Sequence, residues 1–245
     1  MRGPRARFRP PWWATLGTLL LGGLFVGLGF WQLDRGAQKR ALFEAFDSGS
    51  NAATVALPPP GAGPLGALRY RRVILQGRYD AAHQVLLDAR SHGGQAGYEV
   101  LTPLLGDGPA VLVNRGWVPE GADRGQLPGV AVGTGQRRIS GYLDMLPRPA
   151  LSAGAAPAPS PQDPWPRRLL FPTTAEIGAA AGYPVRDFQV LLAADEADGY
   201  LRDWRPALMA PQQHLGYAVQ WFALAVALVV IYAALNLRRR SAPPP

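Results

Sequence analysis

Two long stretches without charged side chains lie near the ends of the chain. Residues 10–33 carry no charge, and residues 206–237 contain no Asp, Glu, Lys or Arg. An α-helix rises about 1.5 Å per residue, so each stretch can cross the roughly 30 Å hydrocarbon core of a membrane. Tryptophans stand at both ends of the first stretch, as they do at membrane interfaces. We therefore predict transmembrane helices over 12–33 and 214–237.

The first stretch also has to be distinguished from a cleaved signal peptide. A signal peptide has a shorter apolar region, which is followed by a cleavage site made of small residues. Here the apolar run ends in the string FWQLDR, which contains no such site. The pattern therefore favours an uncleaved membrane anchor.

Apolar runs of strand length fill the segment between the two predicted helices. Each run is rich in Val, Ile, Leu or Tyr and is bounded by Gly, Asp or Pro. No long helical pattern intervenes, which favours a β-rich (α+β) domain with an antiparallel sheet or small barrel over repeated βαβ units. The predicted strands are 70–80, 83–91, 98–105, 110–119, 137–146 and 188–195.

Helices and loops complete this segment, which we take as one domain over 34–213. Apolar periodicity and capping residues predict short helices over 35–47 and 173–182. The composition of 51–66 is typical of a Pro/Gly linker. The segment 147–166 holds seven prolines, and we expect it to be an exposed loop.

Charge is distributed unevenly along the chain, whose formal net charge is +8. The basic ends, 1–11 and 238–245, contain seven arginines and no acidic residue. The segment 34–213 holds 18 Lys and Arg against 17 Asp and Glu, a net charge of +1. Basic flanks favour the cytoplasmic side of a membrane. We therefore expect both termini in the cytoplasm, the 34–213 domain in the periplasm, and no nucleic-acid partner.

Small residues recur at a spacing of four in both predicted helices. Gly23 and Gly27 lie in the first helix, and Ala223 and Ala227 lie in the second. Small residues at this spacing allow helices to approach closely. We expect them to pack the two helices against each other or against a partner.

Few residues suit catalysis or metal-ion binding. The chain has no cysteine, which excludes disulfides, zinc ribbons and thiol catalysis. Its three histidines lack the spacing of metal ligands, and neither a G-x-S-x-G motif nor a phosphate loop occurs. We therefore do not expect an enzyme.

The string Asn114-Arg115-Gly116-Trp117 follows an apolar run within a predicted strand. It has two interpretations. It is either a strand end and turn with Trp117 packed on the core, or a surface patch that docks a partner or an anionic group. The residues alone leave both interpretations open.

A histidine stands at the entrance of the second predicted helix. His214, Tyr217 and Trp221 are spaced i, i+3 and i+7, so they share one helix face. They are either interfacial residues bonded to headgroups or water, or the ligand and walls of a site for a planar metal cofactor. The outer end of the first helix carries Trp31, Gln32 and Arg35 and should lie at a similar depth. In the cofactor interpretation, Arg35 would pair with a propionate of a haem.

Five strings of this sequence resemble, in order, those of the Surfeit locus protein 1 family. With a predicted span at each end, the resemblance covers nearly the whole chain. It is weakest at 48–66, 120–135 and 147–166. The strings are GFWQLDR at 29–35, YRRVILQGRYD at 70–80, GYEVLTPL at 97–104, NRGWVP at 114–119 and HLGYAVQWFALA at 214–225.

The resemblance implies an assembly factor of haem–copper cytochrome c oxidase in a bacterial cytoplasmic membrane. Such a protein would bind haem a transiently at the outer membrane face and assist its insertion into the catalytic subunit. His214 would be the axial iron ligand, and Trp31 and Gln32 match the motif that closes the first span. The implied partners are the catalytic subunit, haem a synthase and membrane lipid. The alternative is a scaffold that stabilises an oxidase assembly intermediate by protein contacts and holds no haem.

Overall fold

The protein is described here by a computed structural model. The chain forms two compact units, one comprising Met1–Glu44 and Pro206–Pro245 and the other Ala45–Arg205. Most of the predicted loop 147–166 and of the basic ends lies outside the described residues. The structure describes residues 7–8, 10–61, 63, 65–149, 163–204 and 211–238.

The described residues form three α-helices and nine strands. The six predicted strands and the predicted helix over 173–182 are confirmed, each within a few residues. Strand β7 was not predicted, because three residues are too few to show a period. The elements are β1 (Arg7–Phe8), α1 (Trp12–Asn51), β2 (Arg72–Tyr79), β3 (Val85–His92), β4 (Gln95–Gly106), β5 (Gly108–Pro119), β6 (Gln136–Asp144), β7 (Arg167–Leu169), α2 (Thr174–Ala181), β8 (Val185–Leu192), α3 (Pro211–Asn236) and β9 (Leu237–Arg238).

Helices α1 and α3 are both long and apolar enough to cross a membrane. The predicted break between a first span and a separate helix over 35–47 does not occur, because α1 is continuous to Asn51. Side-chain bonds one turn apart support the continuation, from Gln38 to the Asp34 carboxylate (2.8 Å) and from Arg35 to Gln38 (3.1 Å). No proline lies within α1 to end it earlier.

The two long helices pack against each other as an antiparallel pair. Gly22 lies against Leu228, and Gly29 lies against the ring of Phe222. The spacing of seven between the two glycines matches the repeat of a coiled-coil seam. A Cβ at Gly29 would collide with the Phe222 ring, so this close approach requires glycine.

The small residues predicted to join the two helices do not form their contact. Gly23 and Gly27 are exposed, and a Cβ at either position would have nothing within 4 Å. The alanines of the corresponding motif in α3 are exposed as well. The buried alanines of α3 are instead Ala218 and Ala225, again seven residues apart. Residues four apart do not stay on the helix face that a seven-residue repeat defines. For the small-residue motifs at a spacing of four, contact with a partner therefore stays a prediction.

The sheet has seven strands in the order β2-β6-β8-β5-β4-β3-β7. Strand β2 also pairs with β4 over two residues. Each of five strands is therefore paired with two others of the same group, namely β2, β6, β8, β5 and β4. Most strand pairings are antiparallel, as the sequence predicts, but β5–β8 and β3–β7 are parallel. Strand β8 lies between β5 and β6, which run in opposite directions, so it must be parallel to one of them.

Strand β5 runs through the centre of the sheet. Its residues Ala110–Gly116 are all buried. A strand that is covered on both faces normally has a continuous apolar sequence. The run is interrupted here by Asn114 and Arg115, so these two polar residues must find partners inside the domain.

The carboxylate of Asp80 connects the β2–β3 turn to the residues after α2. It accepts hydrogen bonds from His83 Nδ1 (2.6 Å), the Tyr183 hydroxyl (2.7 Å) and the Ala82 amide (3.0 Å). Burial raises the pKa of Asp80, but these bonds outweigh burial and hold the pKa below its ordinary value. The carboxylate therefore stabilises the fold in its charged form.

Replacing Asp80 by asparagine is expected to lower the free energy of unfolding by about 2 kcal/mol at neutral pH. Because the folded pKa is lowered, this stabilisation is present above the unfolded pKa of about 3.9 and is lost as the pH falls through the folded value. Urea unfolding at neutral and acid pH measures the effect, with the exposed Asp107→Asn as control. A difference between wild type and Asp80→Asn that does not shrink in acid would contradict this assignment.

Candidate functional site

His214 lies in the first turn of α3 and is hydrogen-bonded to α1. Its Nδ1 lies 2.8 Å from Oε1 of Gln32, which precedes it by 182 positions in the chain. An amide oxygen can only accept, so the imidazole donates its Nδ1–H, and in the neutral ring the lone pair is then on Nε2. The bond thereby fixes both the tautomer and the orientation of the ring.

The Nε2 atom of His214 is buried and has no hydrogen-bond partner among the described residues. Leaving a buried polar atom without a partner costs about 1–3 kcal/mol. Native structures seldom keep such an atom without a functional or structural reason. Nε2 is therefore the nitrogen of His214 that no hydrogen bond among the described residues engages.

The aromatic residues predicted around His214 occupy different environments. Trp221 is half-buried, and its ring centroid lies 5.7 Å from that of Phe25 in α1. Tyr217 is 46% exposed and Trp31 is 50% exposed. One predicted wall residue thus packs against the opposite helix, while the other two remain on the surface of the helix pair.

Arg35 and Trp31 lie together on the surface of α1. The guanidinium carbon of Arg35 lies 5.7 Å from the centroid of the Trp31 ring, one turn earlier. Arg35 Nη1 donates to Gln38 (3.1 Å), and the side chain is exposed. The two residues therefore offer an apolar surface next to a positive charge, which suits a flat ligand that carries an acidic group.

The hydrogen bond of His214 resembles the one that orients metal-ligating histidines. Such a histidine donates its second ring N–H to an oxygen of the protein, which orients the ring and raises the basicity of the ligating nitrogen. Gln32 provides this oxygen. Among the described residues no three His, Asp or Glu side chains are grouped as metal-ion ligands. A single imidazole suits an iron that brings its other ligands in a macrocycle, as haem does.

Arg115 is buried inside the sheet-rich unit, although it was a candidate for a docking surface. It is 2% exposed, and its guanidinium has no free face for a partner. Its bonds link β5 to three other parts of the unit. The guanidinium donates to Gln84 Oε1 (3.0 Å) and to the backbone oxygens of Val130 (3.1 Å), Ala131 (3.3 Å) and Asp198 (2.8 Å).

The neighbours of Arg115 in the string are enclosed as well. Asn114 is fully buried and donates to Glu99 Oε2 (2.8 Å). Gly116 has a φ of +110°, and a Cβ there would come within 2.6 Å of the Leu201 backbone oxygen. The prediction of a docking surface is therefore corrected for Asn114, Arg115 and Gly116, because β5 continues through them and is covered on both faces.

Trp117 is the half-buried member of this string. Its ring lies 5.6 Å from that of His92, and its backbone exchanges two hydrogen bonds with Leu201 (2.8 and 3.2 Å). This agrees with the interpretation in which Trp117 packs on its own domain. The string therefore holds the segment around Leu201 against β5.

Two tyrosine rings flank the guanidinium of Arg115, and sequence reasoning missed both of them. The ring centroids of Tyr79 and Tyr200 lie 5.8 and 5.0 Å from its carbon. Burial raises the pKa of Tyr79 to about 12, although the positive charges of Arg115 and Arg137 oppose the rise. Tyr79 is therefore neutral at physiological pH, and its ring stabilises the buried cation.

The architecture defines a class of protein in which a mixed sheet domain is inserted between two long apolar helices that pair with each other. A family model described as the SURF1 family matches residues 19–226, and the chain belongs to this family. The resemblance noted in the sequence is thereby confirmed. The SURF1 family is known as a family of cytochrome c oxidase assembly factors and not as a catalytic family.

Curated relatives agree with this assignment. Surfeit locus protein 1 of Takifugu rubripes is 25% identical over 242 residues, covering 90% of this chain and 96% of the relative. Surfeit locus protein 1 of Arabidopsis thaliana is 34% identical over 120 residues, which cover 44% of this chain and 34% of the relative. An uncharacterized SURF1-like protein of Mycobacterium bovis is 26% identical over 198 residues, covering 72% and 66%.

Proposed function

We propose that this chain is an assembly factor of haem–copper cytochrome c oxidase in a bacterial cytoplasmic membrane, and that it binds haem a through His214. Membership of the SURF1 family supports the first part. The second part rests on one observation. The Nδ1–H of His214 is bonded to Gln32, which leaves a buried and unpartnered Nε2. This is the state of the imidazole that an iron-ligating histidine requires.

Each residue of the site has its own task in this proposal. His214 supplies Nε2 to the iron, and Gln32 holds the ring in position. Nε2 is covered within the helix pair, so a neighbouring side chain must move before an iron can reach it. This requirement suits transient binding. The surrounding residues are Trp221, Tyr217 and Trp31, which flank the macrocycle, and Arg35, which pairs with a propionate.

The membrane orientation follows from the charge distribution. Seven arginines lie in 1–11 and 238–245, whereas 34–213 is nearly neutral. Both basic ends are then cytoplasmic, and the inserted domain faces the periplasm. A reporter enzyme that is active only in the cytoplasm should be active when it is fused after Arg240. Activity of a periplasm-dependent reporter at that position would contradict the orientation.

The proposed partners follow from the position of His214 at the outer end of α3. The catalytic subunit of the oxidase receives the haem, and the enzyme that makes haem a supplies it. Since Asn114, Arg115 and Gly116 are buried, Trp117 is the member of this string that a partner would contact. Membrane lipid surrounds the helix pair.

The absorption spectrum of the purified protein tests the proposal. The wild type is purified in mild detergent from cells that make haem a and, in parallel, from cells that do not. We expect a haem a spectrum only in the first preparation, at up to one haem per chain. A colourless protein that still copurifies with the catalytic subunit would reject haem binding and favour the scaffold function.

Replacing Gln32 by leucine is expected to weaken haem binding by about tenfold to a hundredfold. The substitution removes the acceptor for His214 Nδ1–H, so the ring loses its fixed tautomer and orientation. Gln32→Glu keeps an acceptor and should retain most of the affinity. Titration of each purified protein with haem a, followed by absorbance, measures the dissociation constants. The matched control is Gln220→Leu, an exposed position of α3; equal affinities for Gln32→Leu and this control would contradict the role of Gln32.

A further inference from the structure

One face of the sheet-rich unit carries aromatic and apolar side chains around an arginine. Trp117 and Leu201 form an antiparallel bridge, so their side chains lie on the same side of the sheet. The guanidinium carbon of Arg90 lies 5.9 Å from the centroid of the Phe171 ring. Phe171 is 40% exposed and Leu201 is 46% exposed. We call this set the Arg90 surface, and its residues are Arg90, His92, Trp117, Phe171 and Leu201.

A β-bulge in β3 places Arg90 next to Trp117. The register between β3 and β4 shifts between Leu87 and Arg90, and Ala89 within the bulge has a φ of +55°. Beyond the bulge, Arg90 is opposite Gly97, so a Cβ at Gly97 would share its side of the sheet. That Cβ would come within 2.6 Å of the Trp117 ring, which therefore lies on the same side. The unfavourable backbone of Ala89 is thus kept where it brings a cation beside an indole.

The guanidinium of Arg90 has no counter-charge within the chain. Its Nε and Nη2 atoms are buried and have no hydrogen-bond partner among the described residues. All 17 Asp and Glu of the sequence lie within the described ranges, and none of them forms an ion pair with Arg90. Asp88 is paired with Arg124 instead (3.1 Å), and Glu99 accepts a hydrogen bond from Asn114 (2.8 Å). A carboxylate for Arg90 therefore has to come from another molecule.

The backbone beside Arg90 is open to pairing as well. Strand β7 pairs with β3 only opposite Val85–Leu87. From Arg90 to His92, β3 pairs with β4 alone among the described strands. Such a strand edge can accept an extended segment of another chain. This feature favours a protein over a lipid headgroup, which has no backbone to pair.

We propose that the Arg90 surface docks an extended segment of a partner protein in which an Asp or Glu stands beside apolar side chains. The carboxylate pairs with Arg90, and the apolar side chains cover Phe171, Trp117 and Leu201. Arginine and aromatic residues are enriched at the centres of protein interfaces. The inference rests on the proposed assembly function for the existence of a protein partner, but not on haem binding.

Photocrosslinking of the full-length protein in its own membranes tests the docking surface. Phe171 is replaced by p-benzoylphenylalanine, which keeps an aromatic ring beside Arg90, and the adduct formed on irradiation is identified by mass spectrometry. We expect an adduct with a protein, attached within about three residues of an Asp or Glu. An adduct with a phospholipid, or irradiation without any adduct, would overturn the proposal.

Arg90→Gln in the crosslinking protein tests the role of charge. Glutamine cannot form an ion pair, so the yield of the adduct should fall at least about tenfold. Arg90→Lys keeps the charge and should retain more of the adduct than Arg90→Gln. The matched control is Arg138→Gln, an exposed arginine of the same unit, which should leave the yield unchanged. Equal yields from Arg90→Gln and Arg138→Gln would overturn the assignment to Arg90.

Urea unfolding of the same variants separates a contact from a role in folding. The Arg90 side chain makes no hydrogen bond or ion pair among the described residues, so Arg90→Gln should keep nearly the wild-type urea midpoint. A midpoint well below that of Arg138→Gln would assign Arg90 to the stability of the fold and overturn its assignment to a partner.

The identity of the adduct and the haem content separate this inference from the proposed function. An acidic segment from a protein unrelated to the oxidase would support the docking surface and contradict the proposed assembly function. A colourless protein that forms the expected adduct overturns haem binding alone. A protein that holds haem a and forms no adduct overturns the docking surface alone.

Discussion

Replacing His214 by alanine is expected to remove bound haem from the purified protein. The imidazole is the only side chain of this site with an unpartnered, buried nitrogen lone pair among the described residues, and alanine supplies no ligand in its place. Trp221, Tyr217 and Trp31 would still offer apolar contact, but they cannot bind iron as imidazole does. The haem content per chain, measured from the absorption spectrum after purification, should fall to the background of cells that make no haem a.

The control for this experiment is the neighbouring residue. Gln213→Ala changes an exposed side chain in the same helical turn and should leave the haem content unchanged. Circular dichroism of both variants checks that α3 still forms. Equal haem content in His214→Ala and Gln213→Ala, with both proteins folded, would reject His214 as the ligand.

Replacing Arg115 by methionine is expected to lower the free energy of unfolding by about 4 kcal/mol. Methionine fills much of the same volume, but it leaves three backbone oxygens without their donor and Gln84 Oε1 with only the Thr102 hydroxyl as donor. Buried acceptors that lose their partner pay their full desolvation cost. The loss should appear as a lower urea midpoint of the full-length protein in mild detergent, followed by circular dichroism.

The matched control is another arginine of the sheet-rich unit. Arg138 lies on β6 and is exposed, so Arg138→Met should change the unfolding free energy by no more than about 0.5 kcal/mol. Similar urea midpoints for the Arg115 and Arg138 variants would show that the buried bonds contribute little. Haem binding by folded Arg115→Met should be unchanged, because Arg115 belongs to the other unit from His214.

Much of the fold could be predicted from local patterns. Runs of Val, Ile and Leu between turn residues located the six longer strands. Pairing was harder to predict, because the parallel arrangement of β5 and β8 depends on where β8 is inserted and not on its own composition. The continuity of α1 was also missed, since the change from apolar to charged residues at Asp34 resembled the end of a helix.

The helix pair shows how two small-residue patterns compete. The spacing of four in Gly23 and Gly27 was conspicuous, but both positions face away from α3. The seam follows the less obvious spacing of seven, in which Gly22 and Gly29 alternate with larger residues such as Phe25. A test for a seven-residue period in both helices would have found it.

The site was predictable in part. Helical spacing grouped His214 with two aromatic residues, and the matching depth of the two helix ends brought Gln32 into consideration. The hydrogen bond that joins Gln32 to His214 requires a specific rotation of both helices, which spacing within one helix cannot reveal. The role of Arg115 was misjudged because charged residues are rarely fully buried, although its place within an apolar run was a sign of burial.

Imidazole rescue of His214→Gly is the most direct test of the claim that His214 Nε2 binds the haem iron. The variant leaves space where the side chain was, so free imidazole can enter and supply the missing nitrogen. We predict that purified His214→Gly binds no haem a on its own and recovers both haem binding and the wild-type spectrum when imidazole is added during the titration. A variant that binds haem a with wild-type affinity and spectrum in the absence of imidazole would contradict the account.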